Sequence, residues 1–375
     1  MTGPGAPGTA HAACAPGPEA SCLPSGPVLR GADELTAQWL TAALAGRLGG
    51  AAVTAVEVRP VGTGQVSDSL RLTLTYDRPV DLPATFVAKV PSASEASRAA
   101  ARMVRTYEIE ASFYAHIAPG LSAHIPACYH VAYDPEPDHY VVLLEDLSPA
   151  RQGDQLAGIS VAEAAAAIDE LAVVHAAHWG DPALAGLPWL NRSTPEAVAF
   201  TADIVSSLHP GFAERYGDRL DAQTRDLIGR FIPRLGAYLS HRDGDWTLTH
   251  GDFRADNLLF GGTRVAVLDW QTCGYGPGLA DLAYLLASSL RADDRRAHDD
   301  ELTRRYHQAL ISHGVELSWD DCWTAYRRYA FGGVAMTVGA SMLVERTERG
   351  DDMFAAMATR HATHALDLGS EDLLP

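Results

Sequence analysis

One stretch constrains this chain more than any other. In a second half whose patterns are otherwise helical, WTLTHGDFRADNLLFGGTRVAVLDWQ at 246–271 sets two short apolar runs, LLF and VAVLD, on either side of Gly261-Gly262. Apolar runs of that length around a glycine pair read as a β-hairpin. The hairpin brings the loop entering its first strand close to the end of its second. Asp252 and Asn257 lie in that loop, and Asp269 ends the second strand.

The first half has a different pattern. Alternation predicts strands at 53–61 and 69–77, the latter with Leu70, Leu72, Leu74 and Tyr76 on one face, and a third at 84–90. Two more follow near 127–133 and at 139–147, while 33–48 and 95–117 read as helices, the second ending before Pro119-Gly120. From about residue 150 the pattern turns helical, with Ser160-x-x-Glu163 as a capping box and Ser318 as a further cap. The first 30 residues are rich in Gly, Pro, Ala and Ser, without a helical or strand period, and lack the basic start and apolar run of a secretory signal. The expected division is a disordered tail at 1–30, a small lobe of strands with an inserted helix at 31–147, and a mainly helical lobe at 148–375. The fold class is α+β.

Composition narrows the function classes. A formal charge of −18 disfavours a general nucleic-acid binder and adsorption to anionic lipid. No apolar run reaches the roughly 18 residues of a membrane span, and a cytoplasmic location is expected. Cys14, Cys22, Cys128, Cys273 and Cys322 are scattered without a C-x-x-C pair, which disfavours a disulfide framework or a zinc site. Of 29 basic residues 28 are arginine, Lys89 being the single lysine; Asn191 and Asn257 are the only asparagines. A lone ammonium in a strand-like run is either a chance leftover or a position where arginine is not an equivalent cation.

Phosphoryl transfer needs a positioned phosphate and oxygen ligands for Mg²⁺. Asp252, Asn257 and Asp269 offer one carboxylate to face a hydroxyl, and an amide and a carboxylate to share the metal. Arg254 could set a cation beside the γ-phosphate. The H-x-D-x-x-x-x-N pattern followed by a strand-terminal Asp resembles the protein-kinase-like fold. Its HGD and DWQ forms resemble the branch of aminoglycoside phosphotransferases and of choline and ecdysteroid kinases. GTGQVSDS at 62–69, FVAKV, EASFYAHIAP, VVLLEDL and GPGLADLAYLL appear in the family's order, across roughly residues 50–290.

That resemblance implies a two-lobed molecule, with a small antiparallel sheet and one key helix in the first lobe. It implies ATP as donor, with GTP the alternative, together with Mg²⁺ and a small-molecule hydroxyl acceptor such as an antibiotic or other natural product. Asp252 would be the base or hydroxyl-orienting carboxylate, and Asn257 and Asp269 would bind the metal. Lys89 would contact the phosphates and pair with Glu110, although Glu108 lies on the same predicted helix. Backbone groups around Gly62, Gly64, Ser67 and Ser69 would cover the phosphates, and main-chain groups near Glu145 and Leu147 would receive the base. His250, His175 and His178 read as structural, while Asp281 either anchors the catalytic loop or caps a helix. A nucleotide-binding pseudokinase with a regulatory partner is the alternative. A metal-dependent hydrolase would leave Lys89 unexplained, and the absence of G-x-x-x-x-G-K-[ST] excludes a Walker-type loop.

Overall fold

The structure, a computed structural model, describes residues 24–62, 66–136, 139–241, 244 and 246–375. Helix α1 (Ala37–Ala43) starts where Thr36 accepts a hydrogen bond from the Trp39 N–H, so it is shorter than the 33–48 pattern. Strands β1 (Val53–Pro60), β2 (Ser67–Tyr76) and β3 (Thr85–Pro91) follow, then helices α2 (Glu95–Val104) and α3 (Thr106–His116). With β4 (Cys128–Asp134) and β5 (His139–Glu145) the strands form one sheet, ordered β1-β2-β3-β5-β4 and antiparallel throughout.

Alternation gives this sheet two unlike faces. Leu70, Leu72, Leu74, Phe86, Ala88 and Val90 are buried on one, under α1. Leu29 joins that core, and its carbonyl accepts from the Tyr140 N–H at 3.1 Å. Residues 24–30, which composition assigns to the disordered tail, are therefore partly docked on the sheet. The apolar pair Val28-Leu29 supplies the contact that the surrounding glycines and prolines do not. Tyr140, Val142 and Leu144 of β5 belong to the other face, which packs with α3. Lys89 falls on this second face, because Ala88 and Val90 occupy the first.

The pattern at 95–117 predicts one helix, and the structure has two. Arg105 between them adopts a left-handed backbone, φ 58°. Its guanidinium is held by Glu108 at 2.8 Å and the Pro188 carbonyl at 3.0 Å. A tertiary contact thus overrides an uninterrupted helical pattern.

The second lobe contains β6 (Arg151–Gln152), α4 (Val161–Ala177), β7 (Asn191–Arg192), α5 (Pro195–Tyr216), α6 (Ala222–Phe231) and α7 (Leu235–Ser240). Next come β8 (Thr247–Thr249), β9 (Leu258–Phe260), β10 (Ala266–Val267) and β11 (Gly274–Gly276). Helices α8 (Leu279–Ser289), α9 (Ala292–Ser312), α10 (Trp319–Tyr329), α11 (Gly332–Leu343) and α12 (Glu348–Asp367) complete it. Ser160 and Glu163 form both bonds of the capping box that opens α4. Helix α8 is buried almost all round, as its apolar sequence requires of a central helix. The expected hairpin is present: Leu259 faces Ala266 and Leu258 faces Val267. No helix of the described residues is long and apolar enough to cross a membrane.

Candidate active site

The sheet, α3 and the hairpin meet at Lys89. Its Nζ lies 2.5 Å from Glu110 Oε1 and 2.8 Å from Asp269 Oδ1. Glu108 is turned away and paired with Arg105, so Glu110 is the partner. The Tyr140 hydroxyl donates to the second oxygen of Glu110. Burial opposes the charge on Lys89, yet the carboxylates of Asp269 and Glu110 outweigh it and hold the lysine above its ordinary pKa. Burial, with Asp269 adding, pushes Glu110 up against the pull of Lys89. For Asp269 the same lysine overcomes burial and holds the carboxyl below its ordinary value. Asp269 has φ 64°, a left-handed conformation that aspartate tolerates better than most residues.

The loop before β9 is built around Asp252. Asn257 Nδ2 donates to Asp252 Oδ2 at 2.9 Å and to the Asp252 carbonyl at 2.8 Å. The Asn257 carbonyl accepts from the Leu268 N–H at 2.9 Å, which ties Asn257 to the residue before Asp269. His250 serves the framework: Nδ1 accepts from the Asp252 N–H at 3.2 Å and Nε2 donates to the Leu268 carbonyl at 2.8 Å. Gly251 has φ +81°, and a Cβ there would lie 2.5 Å from the Thr272 carbonyl oxygen.

Arg254, the cation expected beside the γ-phosphate, is paired within the loop. Its Nε lies 3.0 and 3.1 Å from the two oxygens of Asp252, and Nη1 lies 2.7 Å from Asp256 Oδ2. Flanking carboxylates two residues to either side commit the guanidinium to the loop itself. Burial opposes its charge, and Asp252 and Asp256 nevertheless raise its pKa.

Gly62 has φ +77° at the end of the described part of the β1–β2 turn, and Gly64 lies outside the described residues. Ser67 faces Pro91 and Ser69 faces Lys89 across the β2–β3 ladder. The Glu145 N–H donates to the Ala127 carbonyl at 2.8 Å, and the Leu147 carbonyl accepts from Ala150 at 2.9 Å.

Other groups complete the site. Asp281 accepts from the main-chain N–H groups of His250 at 2.6 Å and Gly251 at 3.0 Å, so it anchors the loop. Behind it stands His175, with Nε2 3.3 Å from Asp281 and Nδ1 2.6 Å from the Tyr306 hydroxyl. His178 meets Asp181 at 3.3 Å by the end of α4. The buried Tyr284 hydroxyl bonds Asp252 and is pushed well up, first by burial and then by Asp252. Tyr140, Tyr284 and Tyr306 are aromatic residues in apolar runs, where sequence reads only packing.

The antiparallel five-stranded sheet joined to a helical body places the chain, by fold, among the kinase-like phosphotransferases. It belongs to the phosphotransferase enzyme family, whose model matches residues 57–327. Among solved structures, the chain shares its fold with a Cryptosporidium parvum choline kinase at 11% identity and a TM-score of 0.54, covering 85% of this chain and 90% of that one. A Ralstonia eutropha protein assigned to the aminoglycoside phosphotransferases is 18% identical with a TM-score of 0.52, over 87% of this chain and 97% of that one. Among curated proteins, acyl-CoA dehydrogenase family member 11 of Gallus gallus is 30% identical over 125 residues, which is 27% of this chain and only 16% of that protein.

Proposed function

We propose that this chain transfers the γ-phosphoryl group of ATP, with GTP as the alternative donor, to a hydroxyl of a small molecule. The observation that carries the reading is Lys89 held between Glu110 and Asp269, with Asp252 and Asn257 on the adjoining loop. Lys89 would hold the α/β-phosphates, and Glu110 would keep its ammonium aimed at them. The Leu147 N–H, which has no hydrogen-bond partner among the described residues, suits a nucleotide base. Asp252, fixed by Arg254 and Asn257, would orient the acceptor hydroxyl and receive its proton as oxygen attacks phosphorus and the bond to the leaving nucleoside diphosphate breaks.

The donor set fits Mg²⁺. With both Asn257 Nδ2 bonds made inside the loop, Oδ1 is left for a metal, and among the described residues Asp269 Oδ2 has only a 3.4 Å hydrogen-bond contact, from Gln271. No group of three or more His, Cys, Asp or Glu side chains suited to a metal occurs among the described residues. Asn257 and Asp269 would therefore hold the ion jointly with nucleotide phosphates, the usual arrangement for Mg²⁺. When bound, Mg²⁺ supplies neutralisation of the charge on the phosphate oxygens.

The test is a panel of hydroxyl compounds, starting with natural products and amino alcohols, incubated with γ-labelled ATP and Mg²⁺. A labelled acceptor heavier by one phosphoryl group is the expected result. Mg·ATP binding with neither hydrolysis nor transfer across the panel would instead favour a nucleotide-binding regulatory module.

A further inference from the structure

We infer that Asp256 and Arg360 are positioning residues for Asp252, acting through Arg254, so that the C-terminal helix α12 is a working part of the site. The inference rests on the phosphotransferase reading of Asp252. Arginine has a long, rotamer-rich side chain, and contact with Asp252 alone would leave much of that freedom in place. Asp256 removes it by accepting from Arg254 Nη1 at 2.7 Å. Asp256 is itself fixed: its Oδ1 accepts from the Gln155 N–H at 2.8 Å, and its carbonyl accepts from Gln152 Nε2 at 2.6 Å.

Arg360 secures the next link. Its guanidinium donates to the carbonyls of Gln155 at 2.7 Å, Ser288 at 2.8 Å and Leu156 at 2.9 Å. Gln155 Nε2 bonds the same Ser288 carbonyl at 2.6 Å, and Ser289 Oγ accepts from the Ala255 N–H at 2.9 Å. Among the described residues no carboxylate forms an ion pair with Arg360. Burial, with Arg291 adding, lowers its pKa. A half-buried cation with no carboxylate in ion-pair contact, only the more distant charge of Asp154, is a poor source of stability. What it does here is hold together the carbonyls whose segments hold Asp256 and Ala255.

Asp256→Asn tests the relay. The side-chain oxygen can still accept from Gln155, while the amide nitrogen cannot accept from Arg254. Single-turnover consumption of γ-labelled ATP, with water or the acceptor found in the panel, should slow about 10- to 100-fold, with nucleotide affinity unchanged. Arg360→Met should show the same pattern. In an Arg254→Ala background neither substitution should slow the reaction further, because each acts through Arg254. A merely structural role would instead lower melting temperature and give additive losses. Full turnover in Asp256→Asn, or additivity with Arg254→Ala, overturns the inference. So does a crystal structure of Asp256→Asn in which Arg254 still spans both Asp252 oxygens, whatever the turnover. Asp252→Ala run in parallel separates the two claims: if it turns over normally, the phosphotransferase reading has failed. If it is inactive and Asp256→Asn is not slowed, only the relay has.

Discussion

Lys89 Nζ reaches Asp269 Oδ1 at 2.8 Å across 180 residues of chain, while Glu110 holds its other side at 2.5 Å. One ammonium therefore neutralises part of two carboxylates that the fold has largely withdrawn from water. That arrangement links the sheet, α3 and the hairpin, and it makes the lysine matter for stability as well as for chemistry.

Removing the cation strands both carboxylates. Lys89→Ala should lower unfolding free energy by about 3–5 kcal/mol and transfer by about 100-fold or more. Urea melts and γ-labelled ATP turnover would measure the two effects. Lys89→Arg keeps the charge but replaces a compact ammonium with a planar fork, and should not recover turnover. Normal activity in Lys89→Arg would contradict the role given to this residue.

Asp252→Asn keeps shape and removes the proton acceptor. Its kcat should fall about 100- to 10,000-fold, while nucleotide KM stays near the wild-type value because Lys89 and Asp269 are untouched. Steady-state kinetics decide it. A rise in nucleotide KM with kcat preserved would assign Asp252 to nucleotide binding instead.

Asp281 accepts two main-chain N–H groups of the HGD turn. In Asp281→Ala both lose their acceptor, at about 1–3 kcal/mol for each buried group left unsatisfied. Melting temperature and kcat should drop together, since the turn that aims Asp252 loosens. An unchanged kcat in the folded variant would show that the turn holds itself.

Acid should weaken the fold through α12. Burial, with Arg360 adding, pushes His361 down to about 3, and burial also takes His364 well below the ordinary histidine value. The unfolded chain takes up these protons near pH 6.5 and the folded chain resists them. The stability each neutral histidine permits is thus fully present above about pH 6.5 and lost as pH falls towards the folded value. For His361 the loss at pH 5 is about 2 kcal/mol. Comparing urea unfolding at pH 7 and pH 5 in wild type and His361→Leu should show a shallower acid loss in the variant; equal losses would exclude this histidine as a source.

Much of the architecture was legible because it is local. The alternating leucines of β2 lie on one buried face, Ser160 and Glu163 close their capping box, and the run around Gly261-Gly262 forms a hairpin. The break in the helical pattern at 95–117 is not legible, because nothing local marks Arg105 as left-handed; its partners include Pro188, 83 residues away. The docking of residues 24–30 is hidden by composition, because two apolar residues, Val28 and Leu29, outweigh the glycines and prolines around them. For Arg254, sequence does not show that its Nε and Nη1 pair with the carboxylates two residues to either side.

What the sequence determined alone was the run of local elements and the short roster of scarce polar residues from which a site could be made. Alternation, capping and turn preferences act between residues a few positions apart, so they survive without the rest of the molecule. Only the tertiary structure decided that Glu110 rather than Glu108 meets Lys89, that Asp281 anchors the loop, and that Arg360 reaches the segments behind it. Those choices depend on which opposite charge or carbonyl packing brings within about 3 Å of a given donor, a distance set by the whole fold rather than by neighbours in the chain.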